Sequence, residues 1–254
     1  MYDKLALKKR QNVLLSVLKE IDNICKVKGI QYSLTGGSLL GCIRHKGFIP
    51  WDDDMDIMVD RNNYKLLCEA ISNNDKFQMV RGPFLQKIEA LGVPRQKDNA
   101  HFLVDVFILD HLPDNRIKAK LKIICLKFLQ GLLKEEPNYK DMSIVYKILV
   151  FVTFLVGRIF SRKRKLKMYD AVSTWGNSDC TKYISITNDG FRLLNIKHKA
   201  NLLESYEYFA FQDTYFMCVS HYDEYLKVRY GDYMKWPEEA KRVPTHENQK
   251  IYSI

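Results

Sequence analysis

Apolar positions recur at helical spacing near the start of the chain. Val13, Leu14, Val17, Leu18, Ile21, Ile24 and Cys25 fall on one face of a helix, and Gly29 follows as its stop. From Ile30 the period changes to two. Ile30, Tyr32 and Leu34 alternate with Gln31, Ser33 and Thr35, which predicts a strand running into Gly36-Gly37-Ser38, with a short helix opening at Ser38-Leu39-Leu40. Asn62 to Ser72 reads as a further helix. Phe77 to Leu109 reads as strands joined by turns at Gly82-Pro83 and Gly92-Val93-Pro94, and Phe209 to Val219 as a strand pair. Ile184 to Asn201 is expected to be irregular. No repeat or low-complexity linker divides the chain, so a single domain over 1–254 is expected.

Between Phe48-Ile49-Pro50-Trp51 and Ile57-Met58-Val59 lies the acidic run Asp52-Asp53-Asp54-Met55-Asp56. On an extended strand Asp52, Asp54 and Asp56 share one face, about 6.6 Å apart, while Met55, Ile57 and Val59 face the other way. Charge runs usually form solvated loops. Here the flanking sequence is apolar, and carboxylates forced together repel unless a cation or a proton compensates them, so a divalent metal site is expected. A second carboxylate, Asp105, interrupts the most strand-like run in the chain, His101 to Asp110. It either joins the acidic cluster or faces solvent from a half-exposed strand.

Two stretches, Gly36-Gly37-Ser38-Leu39-Leu40-Gly41 and Arg44-His45-Lys46-Gly47-Phe48-Ile49-Pro50-Trp51-Asp52-Asp53-Asp54-Met55-Asp56-Ile57, resemble the signature of the LicD family of phosphotransferases. The similarity extends to Val104-Asp105-Val106-Phe107 with Leu109-Asp110, to Tyr222–Leu226, and to Tyr230–Met234; the region around Trp236-Pro237-Glu238-Glu239 also resembles the family's ending. The resemblance implies an α+β, nucleotidyltransferase-like mixed sheet flanked by helices. It also implies transfer of a phospho-alcohol (phosphocholine, glycerol phosphate or ribitol phosphate) from a CDP-activated donor to a glycan hydroxyl, with release of CMP.

Residue by residue, the resemblance assigns Asp54, Asp56 and Asp105 to catalysis and Asp52, Asp54, Asp56 and Asp105 to metal, with Mg²⁺ as the ion and Mn²⁺ as the substitute. Asp105 either completes a second metal site or accepts the proton of the attacking hydroxyl. Gly36, Gly37 and Ser38 would cradle the donor phosphates through backbone N–H groups. Arg44, His45 and Lys46 are candidates for the diphosphate, Arg44 first because its planar fork suits phosphate oxygens. Lys87 is a further candidate, and Lys241, Arg242 and His246 lie in a tail that either contacts phosphate or is merely solvated. A nucleotidyltransferase releasing pyrophosphate, and an inactive membrane adaptor that keeps the fold, are the competing readings.

Charge singles out the middle of the chain. Residues 115–167 hold fourteen Lys and Arg against three acidic residues, a local net charge of +11, while the whole 254-residue chain carries +10. Within this stretch Ile117, Leu121, Ile124, Phe128 and Leu132 share a helical face. Ile144 to Phe160 is almost wholly apolar, yet shorter than the about 20 residues of a spanning helix, and Arg162-Lys163-Arg164-Lys165 follows. An inserted basic, amphipathic helical segment over 115–168 is therefore expected to dock on an anionic membrane surface; packing on the catalytic core with a basic exterior is the alternative. Nucleic acid is not an expected partner, because the basic residues alternate with aliphatic side chains rather than stacking ones. On this reading the acceptor is a lipid-linked glycan met at the inner face of the membrane.

Six scattered cysteines without Cys-x-x-Cys spacing, and a start at Met1-Tyr2-Asp3-Lys4 without an apolar leader, predict a reduced, cytoplasmic, unsecreted protein. The remaining histidines show no metal-ligand spacing, and neither a P-loop nor a dinucleotide glycine fingerprint is present.

Overall fold

The computed structural model describes residues 3–93, 102–135, 143–177 and 181–244. The predicted sites at His246 and the start of the His101 strand lie outside them, as does Pro94. The chain forms two compact units, residues 1–109 with 201–254, and residues 110–200.

The first unit opens on helix α1 (Lys4–Lys28), capped by the Asp3 carboxylate and closed by Gly29 in the left-handed conformation, φ 66°. Strand β1 is only Ser33–Leu34. Helix α2 (Gly36–His45) follows from its N-cap Thr35, so the two glycines form its first turn rather than a separate loop before it. Strand β2 (Asp56–Asp60) leads into helix α3 (Arg61–Ser72), whose first N–H groups are capped by Asp60. Strands β3 (Phe77–Arg81) and β4 (Gln86–Ala90) form a hairpin that precedes the long β5 (Leu103–Leu112).

β2 and β5 pair in parallel, whereas β1, β3 and β4 join antiparallel in the order β1-β2-β5-β4-β3. This is a mixed sheet with helices, the α+β class expected. The predicted strand from Ile30 shortened to two residues because Ile30 and Tyr32 are buried without ladder partners, and Tyr32 Oη donates instead to Asp22 Oδ1 at 2.8 Å. The acidic run also departs from expectation: residues 52–55 are irregular and β2 begins only at Asp56.

The second unit begins with the end of β5. Helix α4 (Arg116–Leu133) starts at an Asn115 cap, and α5 (Ile144–Gly157) and α6 (Arg162–Thr174) pack on it. The α4–α5 contact is close because it is made by glycines: a Cβ on Gly131 would lie 2.7 Å from Thr153 Oγ1, and one on Gly157 would lie 2.3 Å from the Leu132 carbonyl. Lys122 is fully buried on α4 and donates to the carbonyls of His111 and Trp175. Strands β6 (Tyr183–Ile186) and β7 (His198–Lys199) pair antiparallel, and β6 also pairs with β5, whose end belongs to this unit.

The apolar stripe predicted for α4 is real, but its first four residues face outward. Ile117, Leu121, Ile124 and Phe128 are exposed, Ile117 by 79%, and only Leu132 is covered. The helix is apolar on more than one side, and Ala119, Ile123, Leu126 and Leu129 supply the buried face. α5 is similar, with Ile144, Ile148, Phe151, Val152 and Leu155 exposed. No helix among the described residues is long and apolar enough to cross a membrane.

Back in the first unit, β8 (Tyr206–Phe211) and β9 (Thr214–Val219) form the predicted strand pair, and α7 (Tyr222–Tyr230) follows.

Candidate functional site

The parallel register of β2 and β5 sets Asp56 directly opposite Asp105. Side chains of paired residues point to the same face of a sheet, so the two carboxylates become neighbours although 48 residues separate them in sequence. Both are buried, each about 9% exposed. The loop preceding β2 delivers more carboxylates: Asp52, Asp53 and Asp54 each place an oxygen within 4.8 Å of the others.

This crowding leaves an electrostatic signature. Burial holds the Asp56 carboxyl well above the usual carboxylate range, and Asp54, Asp105 and Asp52 push it further, with Arg229 opposing. Asp52 is displaced the same way, first by burial and then by Asp54. Four carboxylates whose repulsion is unfavourable when ionised, presented on a partly irregular, oxygen-only frame, fit a hard divalent cation such as Mg²⁺. Asp53 belongs to the geometric group, but its neighbours Asp52 and Asp54 are the ones that act on Asp56.

The glycines explain how the helix approaches so closely. Gly36 has φ +55°, and a Cβ there would stand 2.7 Å from Asp56 Oδ2; a Cβ on Gly37 would stand 2.6 Å from Asp52 Oδ2. The start of α2 therefore lies against the two carboxylates. Ser38 is buried, and its Oγ accepts a bond from the Asp56 N–H at 2.8 Å, so its hydroxyl fixes the start of β2. Thr35 at the N-cap shares a 2.5 Å hydrogen bond with Tyr225 Oη of α7.

The predicted basic residues divide. Lys87 lies opposite Asp105 on β4 and forms an ion pair with it at 2.6 Å, so it neutralises a member of the acidic cluster. Arg44 and His45 sit at the other end of α2 from the glycines. Arg44 Nη1 donates to the carbonyls of Tyr233 (2.7 Å) and Lys235 (3.3 Å), and its Nε donates to His45 Nε2. Burial and the adjacent Arg44 charge both lower the His45 pKa. Lys46 is the exposed, left-handed cap of α2. Lys241 pairs with Glu238 at 3.0 Å, and Arg242 Nε donates to the Pro237 carbonyl.

Three supporting residues escaped the sequence reading. Gln11, buried on α1, donates to the carbonyls of Asp52 (2.9 Å) and Ile49 (3.4 Å), and Arg10 Nε donates to the Asp53 carbonyl at 2.6 Å. The signal for Gln11 was available: it occupies the buried face with Leu7, Leu14 and Leu18, where an amide needs partners. Arg229 had no comparable signal, since nothing in α7's sequence points it toward Asp56.

Residues 29–109 match the family model described as the LicD/FKTN/FKRP nucleotidyltransferase domain. The chain is 26% identical to the lipopolysaccharide cholinephosphotransferase LicD of Haemophilus influenzae, over 96% of this chain and 97% of that protein. It is 39% identical to an uncharacterised protein of Rickettsia prowazekii over 38% of this chain and 33% of that protein. A second uncharacterised protein, from Rickettsia typhi, is 38% identical over 52% of this chain and 48% of its own length. The matched segment contains Gly36–Ser38, Asp52–Asp56, Lys87 and Asp105, the same residues that the sheet register and the start of α2 bring together. A LicD-family domain model thus covers the residues of the carboxylate site, and the chain resembles a LicD phosphotransferase along nearly its whole length, which supports an enzyme of that type.

Proposed function

We propose that the chain transfers phosphocholine from a CDP-activated donor to a glycan hydroxyl of the lipopolysaccharide type. The observation that carries this reading is the carboxylate cluster around paired Asp56 and Asp105, with Gly36 and Gly37 seated against it, in a chain similar to a cholinephosphotransferase over nearly its whole length. The acceptor oxygen attacks the phosphorus bearing choline, and the bond from that phosphorus to the oxygen of CMP breaks. The hydroxyl proton passes to a carboxylate or to solvent, and CMP leaves with the bond's electron pair.

Asp52, Asp54, Asp56 and Asp105 would hold Mg²⁺, which when bound supplies charge neutralisation on the diphosphate. The start of α2 lies against the same carboxylates, and its first N–H groups would serve the donor phosphate oxygens. Asp105, paired with Lys87, serves either as a metal ligand or as the proton acceptor. Glycerol or ribitol phosphate would present the same diphosphate to these groups, so the choice of phosphocholine rests on the Haemophilus relative.

The test is CMP release from CDP-choline, CDP-glycerol and CDP-ribitol, with Mg²⁺ and lipopolysaccharide acceptor, by wild type and Asp54→Asn. Acceptor-stimulated CMP release from CDP-choline that is lost in the variant supports the reading. Pyrophosphate release from nucleoside triphosphates, with no CMP from any donor, would establish a nucleotidyltransferase instead.

A peripheral position on the cytoplasmic face of the membrane fits the second unit. Its outward apolar residues on α4 and α5 lie in a segment of local charge +11, and α5, at 14 residues, spans about 21 Å, short of a bilayer core. Apolar side chains with basic neighbours suit insertion at the headgroup level of anionic lipid. Leu121→Glu with Phe128→Glu is expected to abolish co-sedimentation with phosphatidylglycerol vesicles; unchanged sedimentation would remove this part of the proposal.

A further inference from the structure

The cluster at the far end of α2 is not part of the carboxylate site and is not explained by it. Trp236, in the segment after α7, packs edge-on against His45 (4.9 Å between ring centroids) and Trp51 (5.8 Å). Two guanidinium groups approach the same indole, Arg242 at 5.2 Å and Arg44 at 5.8 Å, and Arg242 also lies 5.9 Å from Trp51. Despite these neighbours Trp236 remains 46% exposed. Anchoring the segment does not require the indole, because Arg44 already holds its backbone through the Tyr233 and Lys235 carbonyls. Trp51 immediately precedes Asp52, so the cluster adjoins the acidic site.

We propose that Trp51, Trp236 and Arg242 form the subsite for the nucleotide end of the donor, the indoles stacking the pyrimidine base and Arg242 meeting the nucleotide phosphate. The inference rests on the reading above that the donor is nucleotide-activated. Charge decides the class of ligand. An aromatic cage for choline attracts a cation to empty ring faces, whereas here two guanidiniums lie within 6 Å of one indole and a third cation would meet like charge. A nucleotide brings a π face, which stacks on indole and guanidinium alike, and an anion, which the arginine fork binds. Geometry agrees: at 1.5 Å per residue, the step along α2 from Gly37, against Asp52, to His45, against Trp236, is about 12 Å. The subsite and the carboxylates thus lie at two ends of one short helix, joined by the Trp51-Asp52 bond.

Calorimetric titration with CMP and with cytidine tests this on the full chain, using wild type, Trp236→Ala, Trp236→Phe and Arg242→Gln. CMP affinity is expected to fall about tenfold or more in Trp236→Ala and to stay within about threefold in Trp236→Phe, which keeps a stacking ring. Arg242→Gln is expected to weaken CMP but leave cytidine nearly unchanged. In turnover, Trp236→Ala should raise KM for the CDP donor with little change in kcat. Equal CMP binding by wild type and Trp236→Ala, equal losses in the Ala and Phe variants, or no CMP binding by wild type would each overturn the subsite. If no CDP-alcohol is turned over but the CMP pattern holds, the subsite stands and the proposed reaction fails.

Discussion

Replacing Lys87 by Met isolates the electrostatics of the carboxylate cluster. The Lys87–Asp105 pair is 2.6 Å long, and its side chains are only 15% and 13% exposed. An exposed pair of this kind contributes at most about 1 kcal/mol, but removing one partner from a buried pair strands the other charge and costs about 3 kcal/mol or more. Asp105 also lies in register with Asp56, whose carboxyl it already pushes upward, so a carboxylate that has lost its lysine would sit beside other carboxylates. Lys87→Met is therefore expected to lose about 3 kcal/mol in urea unfolding without divalent ions. Asp105→Asn in the Lys87→Met background should recover much of that loss, because it removes the charge that the lysine compensated, and the two single changes should be non-additive by more than about 1 kcal/mol. Saturating Mg²⁺ should stabilise Lys87→Met more than wild type, since the cation supplies the neutralisation that the lysine provided. A loss under about 1 kcal/mol, or an additive double variant, would refute the buried-pair reasoning.

Gly37→Ala places a methyl group 2.6 Å from Asp52 Oδ2 at a position whose backbone is ordinary for a helix; circular dichroism melting should show stability within about 1 kcal/mol of wild type while turnover falls at least tenfold. Tyr32→Phe deletes the buried bond to Asp22, which keeps its ion pair with Lys26, and should cost about 1.5 kcal/mol in urea unfolding. Burial, reinforced by Asp22, pushes the Cys25 thiol up to about 12, so raising the pH from 7 to 9 leaves it protonated; mass-mapped alkylation should find it unlabelled across that range until the chain is unfolded.

Elements whose cause is local were legible in the amino-acid order. The periodic apolar face and Gly29 define α1, the turn glycine and alternation define the β3–β4 hairpin, and the crowding of Asp52, Asp54 and Asp56 among apolar residues marks an acidic site. The sequence misled where a local pattern had two solutions. Shared parity placed Asp52, Asp54 and Asp56 on one strand, but Arg10 and Gln11 of α1 hold the loop backbone, and β2 starts at Asp56. Apolar residues surround α4 on more than one side, so periodicity identified a stripe at Ile117–Phe128 without saying whether it turned inward. Tertiary structure alone decided three things: that Asp56 meets Asp105, that Lys87 neutralises Asp105, and that Trp236 and Arg242 return to Trp51 and the end of α2. One cause underlies all three. A side chain's residue type fixes what partner it needs, but strand register and chain return fix which distant residue supplies it, and neither leaves a periodic trace in the sequence.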